Sequence, residues 1–126
     1  MSTGRGTALP PGWPEQVLPP GAPDWERSAV AWLFDQCPPD YRAYDVLRRY
    51  PLVLARFAAS CLDGAVTAAD TGLRNVRAEL RDRIPPEAIE AAVAAYEREG
   101  HRLKRARNSV VLVERALRGE RWVPRL

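Results

Sequence analysis

From Leu52 onward, apolar residues recur at alternating intervals of three and four: Leu52, Ala55, Ala59, Leu62, Val66, Ala69, Leu73, Val76 and Leu80. This a/d spacing, unbroken across the run, marks a long helix with one continuous apolar seam. Pro51 suits the first helical position, where a missing N–H costs nothing, and Ile84-Pro85-Pro86 ends the pattern. The spacing therefore predicts a helix over 51–84, with Gly64 and Gly72 each costing about 1 kcal/mol relative to Ala. A second series follows at once: Ile89, Ala92, Tyr96, Glu99, Leu103, Ala106, Val110, Val113 and Leu117. It predicts a helix over 86–118 stopped by Gly119, with 119–126 as a C-terminal tail. Glu99 is its one polar member: it either fixes register or oligomer state within the seam or, the reading preferred here, snorkels outward past Gly100. A short proline turn between two such helices forces an antiparallel hairpin. Folding about that turn sets Leu80 against Ile89, Leu73 against Tyr96, Ala69 against Glu99, Leu62 against Ala106 and Leu52 against Leu117.

Two shorter, aromatic-rich helices precede the hairpin. The first is expected over 24–37, capped by the Asp24 side chain and stopped by Pro38-Pro39. The second is expected over 40–49, with Tyr41, Tyr44 and Leu47 on one side. They should cover the open end of the hairpin around 52–62 and 106–117, leaving a bare arm near the turn. Residues 1–23 hold six of the twelve prolines and no periodicity, so they read as a flexible, disordered or polyproline-II tail. A phrase repeats inside it: Leu9-Pro10-Pro11-Gly12 and Leu18-Pro19-Pro20-Gly21. Its Pro-x-x-Pro spacings suit an aromatic groove on a partner. The simpler reading, and the one preferred here, is that the tail wraps its own domain with Trp13 and Leu18 as apolar buttons. The expected fold is all-α, a long antiparallel coiled-coil hairpin capped by two short helices.

With 126 residues, 46% of them hydrophobic and 28% charged, the chain has material for one core and no more. No run of about 18 uncharged apolar residues is present, so no membrane span is expected. The opening Met1-Ser2-Thr3-Gly4-Arg5 leads into prolines rather than an apolar stretch, so we expect a cytoplasmic location. The net charge of +3 is uneven: residues 98–126 sum to +6 and residues 1–97 to −3. Eighteen of the nineteen basic residues are Arg. Ala and Pro are abundant while Ile, Lys and Asn are scarce, a bias of high-GC coding that weakens Arg as a sign of phosphate binding.

Chemistry-bearing residues are sparse. Cys37 and Cys61 read as reduced thiols, and one histidine in the whole chain leaves no Cys/His cluster for zinc. His101 has Glu97 one turn before it but no third or fourth ligand, so the two read as a solvated ion pair. Ser28, Ser60 and Ser109 lie in no nucleophile elbow, and Gly4, Gly6, Gly12 and Gly21 follow no strand that would make a phosphate cradle. Asp35 and Asp40 read as a cap and a surface charge. We therefore expect no enzyme, cofactor, metal or small-molecule substrate. Arg98, Arg102, Lys104, Arg105 and Arg107 form a basic face whose simplest role is solvation. The aromatic residues Trp32, Phe34, Tyr41, Tyr44 and Trp122 are the candidate protein contacts, because aromatics dominate interface hot spots.

The runs Pro19-Pro20-Gly21-Ala22-Pro23-Asp24-Trp25-Glu26-Arg27 and Cys37-Pro38-Pro39-Asp40-Tyr41-Arg42 resemble small uncharacterised helical proteins of high-GC actinobacteria. The resemblance extends over most of residues 9–126 and implies no activity or site residue. The expectation for function is an adaptor or regulatory module that binds a protein partner or itself. Alternatives are nucleic-acid or nucleoid binding through the basic C-terminal helix, and a small subunit of a larger complex.

Overall fold

A computed structural model describes residues 8–124. The regular elements among them are all helical: α1 (Trp25–Asp35), a 3₁₀ turn (Pro39–Ala43), α2 (Asp45–Arg49), α3 (Pro51–Leu80) and α4 (Pro86–Leu117). At 1.5 Å per residue the last two are each about 45–48 Å long. They pack against each other in opposite directions. Ion pairs join Arg56 to Glu114, Asp63 to Arg107, Asp70 to Lys104 and Arg77 to Glu90, so numbers climb on one helix as they fall on the other.

Ala55, Ala59, Leu62, Ala69 and Val76 of α3 are buried, as are Ile89, Leu103, Val110 and Val113 of α4. Leu52, Val66, Leu73 and Leu80 are half-buried. Leu54 and Ala58, which lie off the heptad series, are fully buried too. They share one core cluster with Ala29 and Leu33 of α1 and Leu47 of α2, both of which pack against α3. A single core cluster joins Val17, Ala29, Leu33, Leu47 and the open end of the helix pair. Val76 and Ile89 are buried outside that cluster, close to the turn.

Several local expectations need correction. Asp24 does not cap α1 with its side chain. Its backbone is left-handed, at φ 65°, and its carbonyl accepts the Ser28 N–H at 3.0 Å. The helix expected over 40–49 breaks at Tyr44, which is extended at φ −86°, ψ 104°. The break turns Leu47 fully into the core while Tyr44 stays outside. α3 ends at Leu80 rather than 84, because Pro85 disfavours helical geometry at Ile84 and the chain unwinds through Arg81-Asp82-Arg83.

The largest correction concerns the N-terminal segment. Residues 1–7 lie outside the described residues, but from Ala8 to Pro23 the chain is folded against the helices rather than disordered. Each Leu-Pro-Pro-Gly phrase is a tight turn. Trp13 N–H donates to Pro10 O at 3.1 Å and Ala22 N–H to Pro19 O at 3.0 Å. Pro11 and Pro20 hold the second corner position, and Gly12 (φ 94°) and Gly21 (φ 91°) the third. That is the type II pattern, in which Pro presets one corner and only Gly takes the other cheaply. Val17, between the turns, is 3% exposed, whereas Leu18 is 43% exposed. The apolar anchors of the wrap are thus Trp13 and Val17, not Leu18. The Ser109 hydroxyl donates to Gly12 O at 2.7 Å and ties the first turn to α4.

α3 also contains an 18-residue window of mean hydropathy 1.4 with no more than two charges, long and apolar enough to cross a membrane by length and composition. An uninterrupted count misses it because Arg56 and Asp63 fall inside the helix.

Candidate functional site

Where α2 leads into α3, the fold gathers an aromatic shoulder. Tyr41, on the 3₁₀ turn, lies between two other rings. Its centroid is 5.8 Å from Tyr44 in a tilted pair and 5.9 Å from Phe57 in an edge-to-face pair at 82°. Both are favourable arrangements of ring quadrupoles. Tyr41 is half-buried, so it fixes its neighbours, while Tyr44 and Phe57 present 54% and 41% of their surface to solvent. Beside them a cavity of about 420 Å³ is lined by Tyr41, Arg56, Phe57, Ser60 and Cys61. Tyr50 and Val46 are exposed on the same α2 segment, and the Arg49 guanidinium lies 5.8 Å from the Tyr50 ring centre.

One thiol, that of Cys61, lines the shoulder cavity. Cys37 is buried, and its thiol points at Leu33 O at 3.5 Å. Burial, and then the neighbouring Cys61 thiol, push the Cys37 pKa up to about 11. A hydrogen bond with Cys61 raises the Tyr41 phenol above its ordinary value. Both cysteines are free thiols.

Arg56 reaches from the shoulder to Glu114 at 3.1 Å, and Arg118 bonds the same carboxylate at 2.8 Å. Glu114 is the one buried charged residue among those described. Burial pushes its carboxyl up, but the hydrogen bonds from Arg118 and Arg56 outweigh that and hold it below the usual range. This clamp locks α4 to the start of α3.

The structure separates the five aromatic candidates. Trp32 and Phe34 are 7% and 4% exposed, so they are core residues and not contact residues. They fall inside because α1 is covered on more than one side. Arg42 and Arg48 both lie over the Phe34 ring, their guanidinium carbons 5.6 and 5.3 Å from its centre. Tyr41 and Tyr44 sit in the shoulder. Trp122 is 39% exposed in a different place, a groove between the C-terminal segment and the N-terminal turns. Phe57, Tyr50 and Glu114 were not singled out by pattern. Phe57 is the only aromatic of α3 and lies off its a/d series, and that position is the signal that would have found it.

The basic face is largely neutralised at short range. Arg102 is bound by Glu99, its Nε 2.9 Å from Oε1, Arg107 by Asp63 at 2.5 Å, and Lys104 by Asp70 at 4.0 Å. Arg98 and Arg105 are exposed and have no ion pair among the described residues. Glu99 points outward to Arg102, and Gly100, not Glu99, is the buried residue at that level of α4. His101 is exposed, and among the described residues no group of three or more His, Cys, Asp or Glu side chains is placed to hold a metal.

Comparisons with protein-family models, with curated proteins and with solved structures find no match, so they lend no support to the expected likeness to an actinobacterial group.

Proposed function

We propose that this chain is a non-enzymatic interaction module, a coiled-coil hairpin whose short helices present the Tyr44–Phe57 shoulder to another protein in the cytoplasm. The observation that carries this reading is that Tyr44 and Phe57 are exposed yet held by Tyr41 between them. Rings already ordered before contact lose little entropy on binding, which is what makes aromatic anchors effective hot spots. Arg49 and Arg56 flank the rings and are more than half exposed, so the complementary surface is apolar with acidic groups at its edge. The 3–4 spacing of buried residues along α3 and α4 supports the coiled-coil description, and two free thiols suit a reducing compartment.

The test is crosslinked capture from native cytosol with the wild-type chain and with Y44A/F57A, alongside thermal melts of both. The reading expects a discrete protein captured by the wild type and lost from the variant, with melting temperatures within a few degrees. Capture that survives the double substitution would remove the shoulder from consideration. A second reading, nucleic-acid binding, rests on Arg98 and Arg105. It expects retention of nucleic acid that falls steeply with added salt and is insensitive to Y44A/F57A.

A further inference from the structure

α4 ends in a Schellman motif. Gly119 is left-handed at φ 85°, its N–H donates to Ala116 O at 2.9 Å, and the Glu120 N–H reaches Arg115 O at 3.0 Å. The motif reverses the chain and carries Arg121 and Trp122 back toward the N-terminal turns. Between them lies a groove of about 650 Å³, within the range of about 300–1,000 Å³ usual for small-molecule sites.

Three of the four tryptophans of the chain line this groove, Trp13, Trp25 and Trp122, each from a different segment. The Trp13 indole N–H is already taken by Val17 O at 2.8 Å, which fixes that ring and leaves its apolar body to line the wall. The charged side chains in the lining are Arg115, Arg121 and Glu120, so the groove carries net positive charge. Among the described residues neither Arg115 nor Arg121 makes an ion pair, whereas Arg118 on the same turn is bound to Glu114. A guanidinium fork matches a carboxylate bidentately, and indole faces match a flat ring.

We propose that this groove binds a small planar aromatic carboxylate, its ring against the tryptophans and its carboxylate on Arg115 and Arg121. The site shares no lining residue with the Tyr41–Phe57 cavity, so the proposal stands apart from the function argued above.

Naphthalene-2-carboxylate is the probe, and 2-naphthalenemethanol is its neutral counterpart of similar shape. Binding is followed by calorimetry and by the indole N–H resonances of the full chain. The expected result is a Kd below about 1 mM for the acid, with the alcohol about tenfold weaker at low salt. Resonances of Trp13, Trp25 and Trp122 should move while that of buried Trp32 does not. R115Q/R121Q should remove the preference for the acid, and R98Q, on the exposed surface of α4, should keep it. W122A should weaken the acid about tenfold. If W122A also lowers the melting temperature, the arginine double variant decides, since both its side chains are exposed. Absence of binding at several millimolar, equal binding of the alcohol, or an acid affinity unchanged in R115Q/R121Q would each overturn the proposal.

Discussion

The Tyr96 ring lies across Gly72: a Cβ built on Gly72 would stand 2.3 Å from Tyr96 Cε1 and 2.8 Å from its hydroxyl oxygen. Gly72 therefore serves the pairing of α3 with α4 in a way its helix propensity hides. Gly64, on the same helix, has nothing within 4 Å of the equivalent point. Gly64→Ala should stabilise the chain by about 0.5–1 kcal/mol through helix propensity alone. Gly72→Ala should lose that gain, because the Tyr96 ring must swing into solvent. In a Tyr96→Ala background the Gly72→Ala change should become stabilising by a similar amount. Urea melts of the four-member cycle give the coupling directly. A coupling near zero would mean that the ring does not use the glycine.

Glu114 should make stability depend on acid. Its folded pKa lies below its unfolded value, so its contribution is present above the ordinary Glu range and is lost as pH falls through the folded pKa. Its partners Arg56 and Arg118 are about half exposed, which screens the clamp and limits its worth to about 1 kcal/mol. Glu114→Gln should lower the melting temperature at pH 7, and the gap to wild type should close as the pH falls below the ordinary Glu range and through the lowered folded pKa. A gap that stays constant from pH 7 to pH 3 would assign the loss to packing instead.

The N-terminal wrap can be tested at adjacent residues. Val17→Asp puts a charge into a position 3% exposed and should cost about 2–4 kcal/mol, whereas Leu18→Asp at 43% exposure should be nearly silent. Equal melts for the two would show that the segment does not pack as described.

The two thiols should react unequally. Cys37 is buried and its pKa is pushed up to about 11, so at pH 8 almost none of it is thiolate. Cys61 is half-buried at the edge of the shoulder cavity. Iodoacetamide should label Cys61 in the native chain and Cys37 only after denaturation, as peptide mass mapping would reveal. Rapid native labelling of Cys37 would contradict its burial.

The heptad series of α3 and α4 was legible in the chain because it is local and periodic. Residues such as Leu62, Ala69, Leu103 and Val110 need only a helix and one neighbour to be placed inside. Folding that series about the proline turn set Leu73 opposite Tyr96, and the structure puts Tyr96 on the adjacent Gly72. The breaks at Pro38-Pro39, Pro51 and Gly119 were legible for the same reason, since proline and glycine act on their own backbone. Tertiary packing decided the rest. Trp32 and Phe34 look like Tyr44 in sequence, yet they are buried because α1 meets neighbours on several sides while Tyr44 sits past a break. Leu54 and Ala58 fall outside the heptad rule and are core only because α1 and α2 cover that side of α3. Glu114 is a routine helical charge until Arg56, fifty-eight residues earlier, reaches across to it. The prolines before Gly12 and Gly21 read as an extended tail, but they form two type II turns, the first of which α4 holds through Ser109. Periodicity records what a residue does within its own element. Which second face is covered, and which distant charge arrives, is set by how the elements meet.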